Sequence, residues 1–295
     1  MPSAGSVAGK TVFITGGARG VGAEVARQLH YKGANLVLTD LDEPPLTELR
    51  DELGGNRVHT LTADVRDLSA MEDAAASAVD RFGGIDVVMA NAGIATYGSV
   101  LNVDPHAFRT LMDVNVMGVF HTVRATLPSV LDRCGYVLIV SSLAAYAAAP
   151  GLAPYNAAKA AVEHFANALR LEVGYRGVEV GSAHMSWIDT PLVRETKADL
   201  PAFREMLSSL PGPLGKTTSV EKCGEAFVAG IEARKSRIYC PGWVGAFRWL
   251  KPLLSSRIGE APTRKTAPEL MPKMDAEVAA LGRSMGVRTE ELEKH

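Results

Sequence analysis

Five short runs in the first half of the chain are rich in Val, Ile and Leu and show no polar alternation. They are KTVFIT at 10–15, NLVLTD at 35–40, RVHTLTA at 57–63, IDVVMA at 85–90 and GYVLIVSS at 135–142. A strand with one wet face alternates apolar and polar residues, so such runs suit strands buried on both faces of a parallel sheet. Helical stretches lie between them. In VGAEVARQLHYKG, Val21, Val25 and Leu29 recur every fourth residue, and Gly33 supplies a stop. This alternation predicts right-handed βαβ units in a single doubly wound α/β sheet with helices on both faces. GVEVGSAHM at 177–185 reads as a sixth strand, and SRIYC at 236–240 as a short strand after the helix SVEKCGEAFVAGIEA.

The chain has 295 residues, enough for one large domain, and its 47% hydrophobic and 22% charged content is that of a soluble globular protein. A formal net charge of -2, without a basic run, argues against a nucleic-acid partner. Cys134, Cys223 and Cys240 have neither CxxC spacing nor histidines at metal-site intervals. Reduced thiols in a cytoplasmic protein without a metal are therefore expected. The segment MPSAGSVAGK has no basic flank or hydrophobic stretch, so no secretory signal is expected there, and no run of about 18 apolar residues predicts a transmembrane helix.

The first strand runs directly into TGGARGVG, which places Gly16, Gly20 and Gly22 at a strand–helix junction. Glycines there let the backbone turn tightly and approach a pyrophosphate, which the following helix N-terminus favours. An ordinary glycine-rich turn would look the same in isolation. Asp40 closes the second strand, where a Rossmann-type fold places the adenosine ribose. A carboxylate there accepts from the ribose hydroxyls and disfavours a 2'-phosphate, so NAD is expected before NADP. Arg19, inside the glycine loop, pulls the other way because a guanidinium suits that phosphate. Further along, Tyr155 and Lys159 stand four apart in PYNAAKAAVEHF, on one face of a helix. A packed tyrosine beside a snorkelling lysine gives this pattern, and so does an acid/base tyrosine whose phenolate a cation favours.

Taken together, TGGARGVG, Asp64-Val65, the NAG turn of Asn91, Ala92 and Gly93, Asn115, Ser142 and YNAAK resemble the short-chain dehydrogenases/reductases in kind and order over roughly residues 8 to 240. The resemblance implies an oxidoreductase that interconverts a secondary alcohol and a ketone with a nicotinamide cofactor. It implies Tyr155 as the proton carrier, Lys159 favouring the phenolate and binding the nicotinamide ribose, Ser142 holding the substrate oxygen, and Asn115 holding a relay water. Gly16, Arg19, Gly20, Val21, Gly22, Asp40, Asp64, Val65, Asn91, Ala92, Gly93, Ile188 and Thr190 then form the cofactor set with Tyr155 and Lys159. Ser142, Tyr146, Tyr155, Met185 and Trp187 are expected at the substrate. Met185 and Ser186 stand where the family commonly has Pro-Gly, which puts the loop beside the nicotinamide in question. An NADPH-dependent ketoacyl or carbonyl reductase, or a dinucleotide sensor without turnover, are the alternatives on the same fold.

Residues 1–241 are thus expected to form the Rossmann-type catalytic domain. Its substrate lid spans about 189–215, with one helical patch at AFREMLSSL, and its apolar residues point to a lipid, steroid or terpenoid-like substrate. Residues 242–295 form an extension. In 243–254, Trp243, Phe247, Leu250 and Leu254 make an apolar stripe, which fits packing on the same domain, a contact in a homodimer or homotetramer, or peripheral contact with a membrane surface. GEAPTRKTAPELMP reads as a Pro-punctuated linker, and RTEELEKH as a charged tail.

Overall fold

The computed structural model describes residues 5–292. The first half runs β1 (Thr11–Thr15), α1 (Gly20–Tyr31), β2 (Asn35–Asp40), α2 (Glu43–Glu52), β3 (Val58–Thr62), α3 (Leu68–Phe82) and β4 (Val87–Ala90). Next come α4 (Pro105–Met112), α5 (Gly118–Asp132), β5 (Tyr136–Val140), α6 (Ala153–Val173) and β6 (Glu179–Met185). The chain continues through α7 (Pro191–Asp199), α8 (Pro201–Ser209), α9 (Val220–Glu232) and β7 (Arg237–Cys240). It then forms α10 (Val244–Leu254), α11 (Arg257–Leu281) and α12 (Val287–Leu292).

All seven strands pair in parallel in the order β3-β2-β1-β4-β5-β6-β7. β1, β4 and β5 are buried along their whole length, as unalternating sequences require. One core cluster packs Val25, Leu29 and Phe227 against one sheet face, and a second packs Met71, Val119 and Val162 against the other. Because β1 pairs with both β2 and β4, the strand order reverses between them, and it is beyond the carboxyl ends at such a reversal that doubly wound sheets place their ligands.

The extension departs from expectation. The proposed linker is helix: α11 continues through Pro262, Pro268 and Pro272. Each proline removes one backbone donor, but the helix is capped by Ser256, whose hydroxyl accepts from the Gly259 amide, and stopped by Gly282 at φ +65°. Leu270, Met274 and Val278 recur every fourth residue and bury against Phe203, Met206 and Leu207 of the lid. The lid itself holds two helices rather than one, each with a proline in its first turn. Glu277 accepts from the Ala202 amide at 3.0 Å, and Lys273 pairs with Glu205 at 2.8 Å, so α11 and α8 form one packed unit. Residues 288–292 of the expected charged tail belong to α12, and 293–295 lie outside the described residues. In α10 the helix runs on through Pro252. Trp243 and Phe247 pack ring to ring at 5.7 Å, while Trp249, Leu250 and Leu253 stay exposed.

Candidate active site

The glycine loop is shaped by contact as much as by turning. A Cβ on Gly16, whose φ is +63°, would lie 2.9 Å from Ala92 Cα, and one on Gly22 would lie 2.1 Å from the Gly16 carbonyl. Both positions therefore exclude any side chain. The Asn91 amide donates to the Thr15 and Gly16 carbonyls at 3.0 Å each, which fastens the NAG turn to the loop. No side chain caps the α1 N-terminus at Arg19, so its first-turn N–H groups are left without a side-chain acceptor. Thr190 stands at the N-cap position of α7 without a side-chain capping bond and lies against the loop: a methyl on Gly20 would sit 3.4 Å from its side chain. Ile188 is buried and bridged to Thr218, which sets this approach.

At the end of β2, the Asp40 carboxylate accepts from the Ala18 amide at 3.2 Å and the Asp42 amide at 3.3 Å. Burial pushes its carboxyl up from the ordinary value. Arg19 turns to Asp42 at 2.9 Å. Asp64 pairs with Arg66 at 2.7 Å, and the buried Val65 gives its carbonyl to His121 Nδ1 at 2.9 Å.

Asn115 lies in a π-helical turn, Asp113–Met117, that joins α4 to α5. Its amide is fully buried and holds Ile94 by both backbone groups, accepting from N–H at 2.8 Å and donating to C=O at 2.9 Å. A Cβ on Gly93 would lie 3.2 Å from Asn115 Oδ1 and 3.5 Å from Lys159 Nζ, so the two polar groups flank one glycine. Lys159 is buried and donates to the Val140 carbonyl at 3.1 Å, with its Nζ 5.5 Å from the Tyr155 ring centre. Burial lowers the Lys159 pKa to about 8.

Tyr155 is half-buried in an apolar cluster that includes Leu152, Trp187, Phe203 and Met274. Burial pushes its phenol up from the ordinary value, and a hydrogen bond with Ser142 draws it part of the way back. Ser142 starts a 3₁₀ turn, with its oxygen accepting from the Ala144 amide at 3.1 Å and its hydroxyl donating to the Met185 carbonyl at 3.4 Å.

Two residues expected at the substrate are placed elsewhere. Tyr146 is buried, its ring stacked on His184 at 4.5 Å and its hydroxyl 2.9 Å from His184 Nε2. It stands in the framework behind Ser142 because that imidazole supplies the partner a buried phenol needs. Met185 reaches Ser142 by its backbone, and its side chain packs on the cluster beneath the sheet rather than on the one around Tyr155. Trp187 does join the Tyr155 cluster, edge-on to Phe203 at 5.3 Å.

His184 and Glu163 carry a polar network that the sequence did not reveal, because the two lie on β6 and α6 and meet only in the fold. His184 is fully buried, with Nε2 2.8 Å from Glu163 Oε2 and Nδ1 3.3 Å from the Ser142 carbonyl. Arg237 reaches the other Glu163 oxygen at 3.1 Å. Burial pushes the Glu163 carboxyl up, but the bond and charge of His184 and the Arg237 charge outweigh it and bring the pKa to about 2. A depressed carboxyl stabilises the fold above its unfolded value and loses that contribution as pH falls through its folded value. Glu163→Gln is therefore expected to lower the melting temperature at pH 7. The gap to wild type should close as pH falls from about 4.5 towards 2, and a pH-independent gap would refute this origin.

A model described as short chain dehydrogenase matches residues 10–201. The chain belongs to the short chain dehydrogenase family. It is 33% identical over 218 residues to an uncharacterised NAD-dependent oxidoreductase of Mycobacterium tuberculosis, covering 68% of this chain and 78% of that one. It is 32% identical over 241 residues to the oxidoreductase UcpA of Salmonella typhimurium, covering 78% and 90%. Among solved structures, a 3-ketoacyl-(acyl-carrier-protein) reductase from Brucella melitensis, complexed with NADH, superposes with a TM-score of 0.72 at 26% identity. That match covers 79% of this chain and 97% of the other. A family member from Burkholderia phymatum in complex with NAD gives 0.72 at 24% identity, covering 82% and 93%, and shares the fold.

This short chain dehydrogenase is thus an oxidoreductase built on a parallel seven-stranded sheet, and its site residues fit a dinucleotide. The side-chain-free cradle at Gly16 and Gly22 and the uncapped α1 N-terminus suit a pyrophosphate. Among the described residues, the buried hydroxyls of Thr39, Thr96 and Ser186 have no hydrogen-bond partner. Among the described residues no helix is long and apolar enough to cross a membrane.

Proposed function

We propose that this chain is an NAD-dependent oxidoreductase that interconverts a secondary alcohol and a ketone of apolar character, with Tyr155 as the acid and base. The carrying observation is the setting of Tyr155: its ring centre lies 5.5 Å from the Lys159 ammonium, and it packs in one cluster with Trp187, Phe203 and Met274. Bound NAD supplies the hydride acceptor, or as NADH the donor. Gly16, Gly20, Val21, Gly22, Asp40, Asp64, Val65, the Asn91–Gly93 backbone, Ile188 and Thr190 form its cradle.

In alcohol oxidation Tyr155 removes the hydroxyl proton as hydride leaves carbon, and in reduction it returns a proton to the carbonyl oxygen. Ser142 donates to that oxygen and steadies its developing negative charge, in a place where the apolar cluster excludes water and strengthens the bond. Lys159 favours the phenolate and binds the nicotinamide ribose, and Asn115, across Gly93 from it, carries the relay to solvent. The apolar cluster around Tyr155 supports a lipid, steroid or terpenoid-like substrate over a sugar. A screen of apolar secondary alcohols and ketones, followed by NADH absorbance, tests the reaction. Turnover confined to sugars would overturn the substrate class.

Asp40 makes the cofactor preference testable. Asp40→Ala removes the carboxylate that disfavours a 2'-phosphate, and the ratio of kcat/KM for NADPH over NADH is expected to rise at least about tenfold, or ~1.4 kcal/mol. A wild type that already prefers NADPH would overturn the preference. We further infer a cytoplasmic homodimer or homotetramer, supported by scattered free cysteines and by the apolar residues that α10 leaves exposed, Trp249, Leu250 and Leu253.

A further inference from the structure

The segment after α11 does not trail into solvent. Met285 pairs with Thr96 as an antiparallel bridge, and its carbonyl accepts from the Tyr97 hydroxyl at 2.7 Å. The Tyr97 amide donates to the Ser284 carbonyl at 2.9 Å, and Arg283 binds both Asp199 at 2.8 Å and the Tyr97 oxygen at 2.7 Å. Gly286 is buried against α7, where a Cβ would lie 3.0 Å from Glu195 Oε2. Two residues on, Arg288 Nη2 reaches Asp42 Oδ2 at 2.5 Å. Thr96 follows the NAG turn, Glu195 sits on the helix that Thr190 precedes, and Asp42 is the N-cap residue after β2. The segment thus touches three walls of the proposed dinucleotide site.

We propose that Arg288 is a cofactor-binding residue, carried by a strap of residues 283–289 that lies across the dinucleotide groove and faces the adenosine and pyrophosphate half of NAD. The assignment rests on the dinucleotide site proposed above. The α1 N-terminus answers the two negative charges of a pyrophosphate from one side only. On the other side, Arg19 and Arg288 share the carboxylate of Asp42, at 2.9 and 2.5 Å, and the Asp40 carboxylate stands in the same cluster, so two guanidiniums and two carboxylates lie beside the loop. Asp42 keeps Arg288 extended over the groove, and the Met285 and Gly286 contacts fix the backbone that delivers it. A guanidinium held this way loses little freedom on meeting a phosphate. A plain clamp, in which Arg288 only fastens the chain to Asp42, would contribute to stability without favouring an anionic ligand.

Dissociation constants for NADH and for ADP-ribose, measured by fluorescence and calorimetry, separate these cases in wild type, Arg288→Ala and Arg288→Lys. Arg288→Ala is expected to raise both constants about tenfold, ~1.4 kcal/mol. Lysine should recover most of the loss, and added salt should weaken wild type more than the alanine variant. NADH should also slow amide exchange over residues 284–290 in wild type. Unchanged constants in Arg288→Ala, or a loss that lysine fails to recover, would overturn the assignment while leaving the site intact. A wild type that binds neither ligand would overturn the dinucleotide site, and the role of Arg288 with it.

Discussion

Tyr155→Phe is expected to lower kcat by about 10² to 10⁴ while leaving the NADH dissociation constant and the fold unchanged. Only one oxygen is removed. The ring keeps its place among Leu152, Trp187 and Met274, so packing is retained. What disappears is the hydroxyl proposed to carry the proton. Burial pushes this phenol up from its ordinary value. Stopped-flow measurement on a substrate from the screen decides the matter, and near wild-type turnover in the phenylalanine variant would remove Tyr155 from the chemistry.

Lys159→Met is expected to abolish most turnover, weaken NADH binding and yet stabilise the fold below pH 8. The lysine is buried with one carbonyl partner, and burial brings its pKa to about 8 from 10.5. Between those values the unfolded chain holds more protons than the folded one, so wild-type stability rises with pH. The shift corresponds to roughly 3 kcal/mol over the whole window. Methionine has no such rise. The variant's advantage in melting temperature should therefore be largest below pH 8 and shrink by several degrees towards pH 10. Tyr97, Tyr136 and Tyr146 are common to both proteins and do not interact with Lys159, so their titration cancels in the difference. A constant difference across this range would show that Lys159 is not destabilised by burial. A group kept at a cost to stability is a candidate for function, and the role proposed for Lys159 in the acid–base site accounts for it.

The strands and the glycine loop were legible because their signals are local. KTVFIT into TGGARGVG states both burial and turn within a dozen residues, and β2 was read to its ends at Asn35 and Asp40. Tyr155 and Lys159 share one helix and could be paired by spacing alone. Contacts between distant segments were not legible. Glu163 and His184 meet across two elements, and Arg288 crosses the molecule to Asp42. Helix α11 was misread for a different reason. Its prolines argue locally for a linker, but its Ser256 cap, its stripe of Leu270, Met274 and Val278, and its Gly282 stop were all present in the sequence. Three prolines outweighed them on the page and did not in the fold, because tertiary burial decides helix stability more than propensity does.

The π-helical turn at Asp113–Met117 makes residue number, more than residue type, the constraint on this part of the chain. A π turn holds one residue more than the α-helix it interrupts. Deleting any single residue between 113 and 117 could restore unbroken α-helix from Pro105 to Asp132, with every backbone bond made. The cost would be a rotation of about 100° of everything downstream relative to everything upstream. Val119, Val123 and Val130 would swing off the sheet, or Ala107 and Leu111 would leave their own contacts, and Asn115 would lose Ile94 in either case. Point substitutions on the outer face of this helix pair are therefore expected to be tolerated in descendants of this chain, while insertions and deletions of one residue are expected to be purged.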